Sequence, residues 1–343
     1  MNVGQAITYA LEWVDLYGHE IPGFCGAHLM GSILSLPYDA PFPAYRDVDL
    51  NVVVSEGPPA DATHDVAYKG LIIEYGTVNV ARYRVPEEVL ANPELAANLA
   101  VDGILADPHC ILTPLQRTVA AQYASRTWVR ARCAYEQQVV AQCLEALCHV
   151  ESPSEAVWPV LSGVLFLSGL LAVASLRAPT HRRSLVVMRE VLAAQGRLDL
   201  YEAVLGLLGF AHMSRWQVEL CLQDCALAFD CAVKVTRTPV PFHFKLQPHI
   251  RPYVVMGARE MIDQGFHREA MFWIAGFLMF ANGAIQADAP DGEKPIFQAK
   301  LDRVRENMGF RTPTDVVERR RAAEELAGEV CAVADTIIER GAA

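Results

Sequence analysis

Apolar residues recur in two rhythms along this chain, and the change from one to the other divides it. At the N-terminus Ile7, Ala10, Leu11 and Val14 share one face at helical spacing, which predicts an amphipathic helix within residues 1–17. Short apolar runs then follow near residues 24–29, 47–54, 71–80 and 103–108, bounded by Gly, Pro and polar clusters, and they read as strands. Between them, 56–65 reads as a Gly, Pro and Ala loop and 86–99 as one or two short helices.

From residue 115 the spacing is helical almost to the end. Thr113-Pro114 reads as an N-cap followed by Pro at the first helical position, opening a helix to about residue 149. Its Arg117, Arg126, Arg130 and Arg132 are expected mostly on a solvated face. Residues 156–176 carry no charge and are long enough to span a bilayer. Pro159, Ser162, Gly163, Ser168 and Gly169 dilute that stretch, so a central buried helix is expected, started by Ser152 to Glu155. Helices follow over 185–194, 198–208 and 214–235, with Gly196 and Gly209 as stops. A Pro-rich link at 238–252 precedes the Met- and aromatic-rich segment 268–280, which reads as core, and as a candidate pocket floor or contact in a homodimer. After a loop at 288–294, residues 314–340 form a charged amphipathic helix. The fold class is therefore an α/β N-terminal domain with a mixed sheet, residues 1–115, followed by a larger all-α helical domain, 116–343, with a candidate sub-boundary at 238–252.

Composition narrows the partners. A chain of 343 residues, 52% hydrophobic, is long enough for two cores. A net charge of -11 argues against a nucleic-acid surface and fits a small-molecule substrate; an acidic cleft favours a cationic one, although acidity also serves solubility. No membrane partner is expected. The first residues lack a basic region and include Glu12 and Asp15, unlike a signal peptide. Nine cysteines, with only Cys221 and Cys225 one turn apart, complete no zinc spacing and read as reduced core thiols of a cytoplasmic protein.

The chemistry concentrates between Gly31 and Val54. On a strand, Asp47 and Asp49 point the same way and repel unless a cation sits between them. Hard oxygen ligands of this kind suit Mg²⁺, which takes waters and substrate phosphates as its other ligands. Upstream, Gly31 and Ser32 offer a turn whose backbone N–H groups and hydroxyl suit a phosphate. Without that context, an Asp-x-Asp is commonly a solvated strand end.

Gly31-Ser32, a gap, and then Asp47-Val48-Asp49-Leu50 resembles the signature of the nucleotidyltransferase superfamily, with its DNA polymerase β-like fold. The wider layout is similar to the aminoglycoside nucleotidyltransferases, kanamycin nucleotidyltransferase among them. The resemblance covers residues 24–115 by motif and the helical part by layout. It implies Mg²⁺ on Asp47 and Asp49, phosphate contacts from Gly31 and Ser32, and a third carboxylate, Glu74, as metal ligand or general base, with the base preferred. It further implies that Arg182 or Arg183 meets the nucleotide's outer phosphates, and it makes Glu136 a lesser candidate base on the helical part. The activity implied is transfer of a nucleoside monophosphate from an NTP, ATP in the first instance, to a hydroxyl of a small, cationic molecule such as an aminoglycoside. Two departures, Arg46 in place of a small residue and a gap holding Pro37, Pro41 and Pro43, keep a second reading open: a rerouted or silent member that binds or modifies a metabolite.

Overall fold

A computed structural model describes residues 1–55, 63–150 and 152–341. It resolves into two compact units, Met1–Ala131 with Gln247–Tyr253, and Arg132–Leu246 with Val254–Ala343.

The first unit contains α1 (Val3–Leu16), β1 (Phe24–Met30), β2 (Asp47–Val54), β3 (Thr63–Tyr68), β4 (Leu71–Asn79), α2 (Pro86–Ala91), α3 (Pro93–Leu99), β5 (Ile104–Ala106) and α4 (Leu112–Gln122). Its five strands form one mixed sheet in the order β3-β4-β2-β1-β5. Strands β2 and β4 pair in parallel, and the other pairs are antiparallel. The alternation along β2 explains both faces. Val48, Leu50, Val52 and Val54 join Leu71 and Ile73 of β4 in a core beneath α1. Val53 and Val78 point the other way, into a second core with Val89, Leu95, Leu99, Leu112 and Val119 from α2, α3 and α4. Each such Val or Leu, fully buried, contributes about 1.5–3 kcal/mol relative to exposure.

The structure adds a strand that the periodicity did not predict. Within the expected loop at 56–65, residues 56–62 lie outside the described residues, and Thr63–Tyr68 pairs with β4 as an edge strand. Its burial alternates only weakly, as an edge half in solvent allows. Lys69 (φ 48°) and Gly70 (φ 81°) close the hairpin with positive φ at both central positions, the signature of a type I′ turn.

Two expectations at the start of the helical region are corrected. The helix that begins near residue 112 stops at Gln122, and α5 (Arg126–Cys148) begins afresh. Thr113 and Pro114 lie inside α4, and Asp107 does the capping. It accepts from the backbone N–H of Ile111 at 2.8 Å, Leu112 at 3.1 Å and Thr113 at 2.8 Å. A carboxylate four to six residues upstream reaches these groups because the turn after β5 folds back, which local spacing does not reveal. The arginine face is mostly solvated, as expected, with one exception. Arg117, Arg126 and Arg130 are exposed, but Arg132 is fully buried, one turn from buried Glu136 on the stripe that holds Cys133 and Val140.

In the second unit α6 (Pro153–Ala174) packs against α7 (Ser184–Ala194) and α13 (Pro313–Arg340). Helix α8 (Leu198–Leu207) meets α7 and α13, and α9 (Arg215–Val235) lies along α11 (His267–Asp288), which also meets α12 (Lys294–Asn307). Helix α10 (Arg251–Asp263) starts at the end of the Pro-rich link. Gly196 and Gly209 follow α7 and α8 at φ 70° and 74°. Among the described residues, two helices are long and apolar enough to cross a membrane, α6 and also α11. In each, most of the apolar window is buried, 67% and 61% respectively. Gly169 of α6 makes room for Glu136, whose Oε2 would lie 2.8 Å from a Cβ at that position.

The cap gives a test of the fold. Asp107→Ala leaves three N–H groups of α4 without their acceptor and is expected to cost about 1 kcal/mol, within the usual range for a lost cap. Thr113→Ala is expected to cost less. Chemical denaturation of both variants checks the order; equal losses would return the cap to Thr113.

Candidate active site

On the sheet face covered by α2, α3 and α4, β2 presents Asp47, Asp49, Asn51 and Val53 in turn. Val53 lies in the core beneath those helices. Asp47 and Asp49 stand toward the opposite end of the strand, and the parallel register sets Asp49 directly beside Glu74 of β4. The carboxylates of Asp47, Asp49 and Glu74 converge: one oxygen from each lies within 4.8 Å of the other two. Asp47 is 9% exposed, and Asp49 and Glu74 are half-buried. Three anionic oxygens this close repel in the absence of a cation. An all-carboxylate set of hard oxygens with limited solvent access fits Mg²⁺ and suits neither zinc nor a soft metal.

Gly31 sits against this cluster. Strand β1 ends with Met30 opposite Asp49, and the chain turns at Gly31 with φ 71°. A Cβ there would lie 2.3 Å from Asp49 Oδ2, so only glycine permits both the turn and the close approach. The Gly31 N–H donates to Asn98 Oδ1 at 3.0 Å, from α3. The nitrogen expected to be open to a phosphate is thus held by a side chain 5% exposed. Ser32 opens a short 3-10 turn, Gly31–Ser35, and is exposed.

Behind the carboxylates lies a closed polar chain that the sequence did not single out. His28 is opposite Asn51 across β1 and β2, and both are buried. His28 Nδ1 is 3.0 Å from the Leu29 carbonyl, Nε2 is 2.9 Å from the Tyr83 hydroxyl, and Asn51 Nδ2 donates to that hydroxyl at 3.1 Å. One proton arrangement satisfies all three contacts. A carbonyl only accepts, so Nδ1 carries the hydrogen; Tyr83 then donates to Nε2 and accepts from Asn51. Burial favours this neutral form and pushes His28 down to about 4, partly opposed by the Leu29 carbonyl. Burial likewise raises the Tyr83 hydroxyl far above its ordinary value. The chain ties β1, β2 and the segment after β4 together two residues from Asp49. Its only sequence signal is a polar residue, His28 or Asn51, on an otherwise apolar stretch of strand; Tyr83, between Arg82 and Arg84, carries none.

The remaining candidates lie in the second unit. The Arg182 guanidinium lies over the Trp273 ring at 5.7 Å, packed against Gly257. Arg183 donates to Gln264 Oε1 at 2.9 Å and covers the Phe266 ring. Glu136 is 4% exposed within the helical packing. All nine cysteines are free thiols; Cys25, Cys133, Cys221 and Cys225 are buried, whereas Cys110 and Cys148 are exposed, so not all are core thiols. Cys221 and Cys225 are raised to about 11 and about 12, chiefly by burial, as inert core thiols should be.

No family model matches this chain, and no curated protein matches it. Its structure is similar to that of a nucleotidyltransferase-like protein from Exiguobacterium sibiricum 255-15, with 12% identity and a TM-score of 0.33 over 89% of this chain and 88% of that one. A likeness at that level assigns neither activity nor substrate to this chain.

The buried histidine predicts a pH dependence. Because the folded pKa lies below the ordinary 6.5, the unfolded chain binds this proton first on acidification. The stability tied to neutral His28 is complete above about pH 6.5 and is lost as pH falls toward 4. The full span corresponds to about 3 kcal/mol. Urea titrations of the wild type and His28→Gln at pH 7 and pH 4.5 are expected to show a smaller acid loss in the variant. Parallel losses would mean that His28 does not titrate as its burial implies.

Proposed function

We propose that this chain is a Mg²⁺-dependent nucleotidyltransferase, moving a nucleoside monophosphate from an NTP, ATP in the first instance, to a hydroxyl of a small molecule. The observation that carries the reading is the convergence of Asp47, Asp49 and Glu74 within 4.8 Å, beside a glycine turn. Such carboxylates, next to a turn suited to phosphate, match the needs of a reaction in which charge builds on phosphate oxygens.

In this reading the acceptor hydroxyl attacks the α-phosphorus and gives up its proton to solvent water, the bond from the α-phosphorus to the bridging oxygen breaks, and pyrophosphate leaves with that oxygen. Bound Mg²⁺ supplies charge neutralisation at the triphosphate. Asp47 and Asp49 would hold the ion. The mutual spacing of the three carboxylates favours ligation for Glu74 over the base role. Ser32, exposed at the start of its turn, offers hydroxyl and backbone to phosphate oxygens. The resemblance alone gives Arg182 or Arg183 the role of a cation for the leaving pyrophosphate; their observed contacts are with Trp273, Gly257, Gln264 and Phe266 of the second unit. An acidic cleft would favour a cationic acceptor, and the aminoglycoside kind is the one that the resemblance implies.

Asp47→Asn and Asp49→Asn are each expected to remove Mg²⁺-dependent ATP binding and to lower turnover at least about 10²-fold, the scale of losing a metal's charge stabilisation. Calorimetry with and without EDTA, beside mass spectrometry of an acceptor panel, checks this. Ligand affinity that survives EDTA and both substitutions would instead support the metabolite-binding reading.

Glu74→Gln separates that residue's two roles. As a ligand it is expected to weaken Mg²⁺ binding, with recovery at high Mg²⁺. As a base it would keep metal and ATP affinity and lose turnover by about 10²–10⁴-fold.

A further inference from the structure

The proton arrangement of the polar chain behind the carboxylates also fixes which way Asn51 points. The Leu29 carbonyl takes the His28 Nδ1 hydrogen, so the Tyr83 hydroxyl donates to Nε2 and accepts from Asn51. Only the amide nitrogen can supply that hydrogen, which it does at 3.1 Å. Asn51 Oδ1 is therefore turned away from Tyr83, and Gly76 shows where it lies: a Cβ at Gly76 would stand 3.4 Å from this oxygen. Gly76 is the partner of Asn51 across β2 and β4, just as Glu74 is the partner of Asp49 two residues earlier. Partners on adjacent strands share a face. The oxygen thus overlies the sheet face that carries the carboxylates, in the row next to Asp49 and Glu74.

Asn51 is only 6% exposed, so this oxygen is held in place. Among the described residues it accepts no hydrogen bond, and unlike the sealed Thr77 and Ser184 hydroxyls it stays open to water. A carbonyl oxygen only accepts, so it suits an O–H or N–H group and not a phosphate oxygen. Beside carboxylates that fit Mg²⁺, the O–H groups at hand are the waters that this ion keeps among its ligands. Groups that hydrogen-bond a metal's ligands from behind set their orientation and tune the affinity for the ion.

We propose that Asn51 is a positioning residue of the metal centre: its Oδ1 accepts a hydrogen bond from a water bound to Mg²⁺, and Tyr83 and His28 hold the amide in the orientation that this requires. The inference rests on the metal site of the nucleotidyltransferase reading and adds to it a residue outside the Gly-Ser and Asp-x-Asp signature.

The first probe is Mn²⁺ alone, titrated through its effect on water relaxation, and the second is Mg²⁺·ATP, followed by calorimetry. Asn51→Leu removes the acceptor at similar volume, and its Mn²⁺ affinity is expected to fall about 10–100-fold, the scale of losing such a partner. Tyr83→Phe breaks the same hydrogen bond but leaves Oδ1, and it is expected to lose melting temperature while binding Mn²⁺ as the wild type does. Gly76→Ala sets a methyl group 3.4 Å from Oδ1, in ordinary contact, without touching the polar chain. It is expected to keep the melting temperature and weaken Mn²⁺ binding. At saturating Mn²⁺, electron–nuclear double resonance is expected to show an altered water-proton coupling in Asn51→Leu and Gly76→Ala and the wild-type coupling in Tyr83→Phe. Wild-type Mn²⁺ affinity in Asn51→Leu overturns the proposal, as it does in Gly76→Ala if Asn51→Leu does not fold. An equal loss of Mn²⁺ affinity in Tyr83→Phe also overturns it, leaving Asn51 as a tie between strands. So does a loss of Mg²⁺·ATP affinity with Mn²⁺ affinity intact, which would give Oδ1 to a hydroxyl of the nucleotide. A wild-type chain that binds no Mn²⁺ overturns the metal site and this inference together, whereas Mn²⁺ binding that ignores Asn51 removes the inference alone.

Discussion

Three carboxylates held within 4.8 Å of one another are the constraint around which the first unit is organised. Left to themselves they would swing apart into water, where the repulsion of a pair at about 4 Å is only about 1 kcal/mol. The sheet removes much of that freedom. Asp47 and Asp49 share a strand face, and the parallel register brings Glu74 level with Asp49. Parallel strands need a crossover, and β3 together with its hairpin to β4 belongs to it. Val48, between the aspartates, and Leu50, just after them, anchor the strand from the other face beneath α1. The acidic cluster is thus held by hydrophobic burial on the opposite side of the same backbone.

The next shell keeps that backbone in register. A neutral histidine, a tyrosine hydroxyl and an asparagine amide close a chain in which each inner donor meets an acceptor. Buried polar groups arranged in this way specify one strand alignment, because a slip would leave several of them unsatisfied. Gly31 performs the complementary task at the edge of the cluster. It turns the chain where any side chain would strike Asp49, and Asn98 holds its amide. Position within the sheet and the absence of a side chain together bring the turn against the acidic cluster.

Much of the architecture was legible in the sequence. Period-two runs marked four of the five strands, and helical periodicity with Gly stops marked the boundaries of α7, α8 and α9 closely. These signals are local: a strand face alternates and a helix face repeats, whatever the surroundings. The acidic cluster was legible for the same reason, since Asp47 and Asp49 lie two residues apart and Glu74 is an acid in an apolar strand. What was missed lacked a local signal. Strand β3 is polar because it lies at an edge, and its pairing with β4 makes it a strand. Asp107 caps α4 across a turn, and Arg132 is buried although nothing around it in the chain marks it as different from Arg126 and Arg130.

The sequence by itself therefore determined an α/β unit followed by helices, and which acids could meet on one strand face. Only the tertiary structure decided that Glu74 comes level with Asp49, that His28, Asn51 and Tyr83 close behind them, and that Asn98 takes the Gly31 amide. The physical reason is range. Side-chain periodicity is set by the few residues on either side, whereas a hydrogen bond spanning 67 positions, like that from Gly31 to Asn98, exists only once packing has brought its ends together.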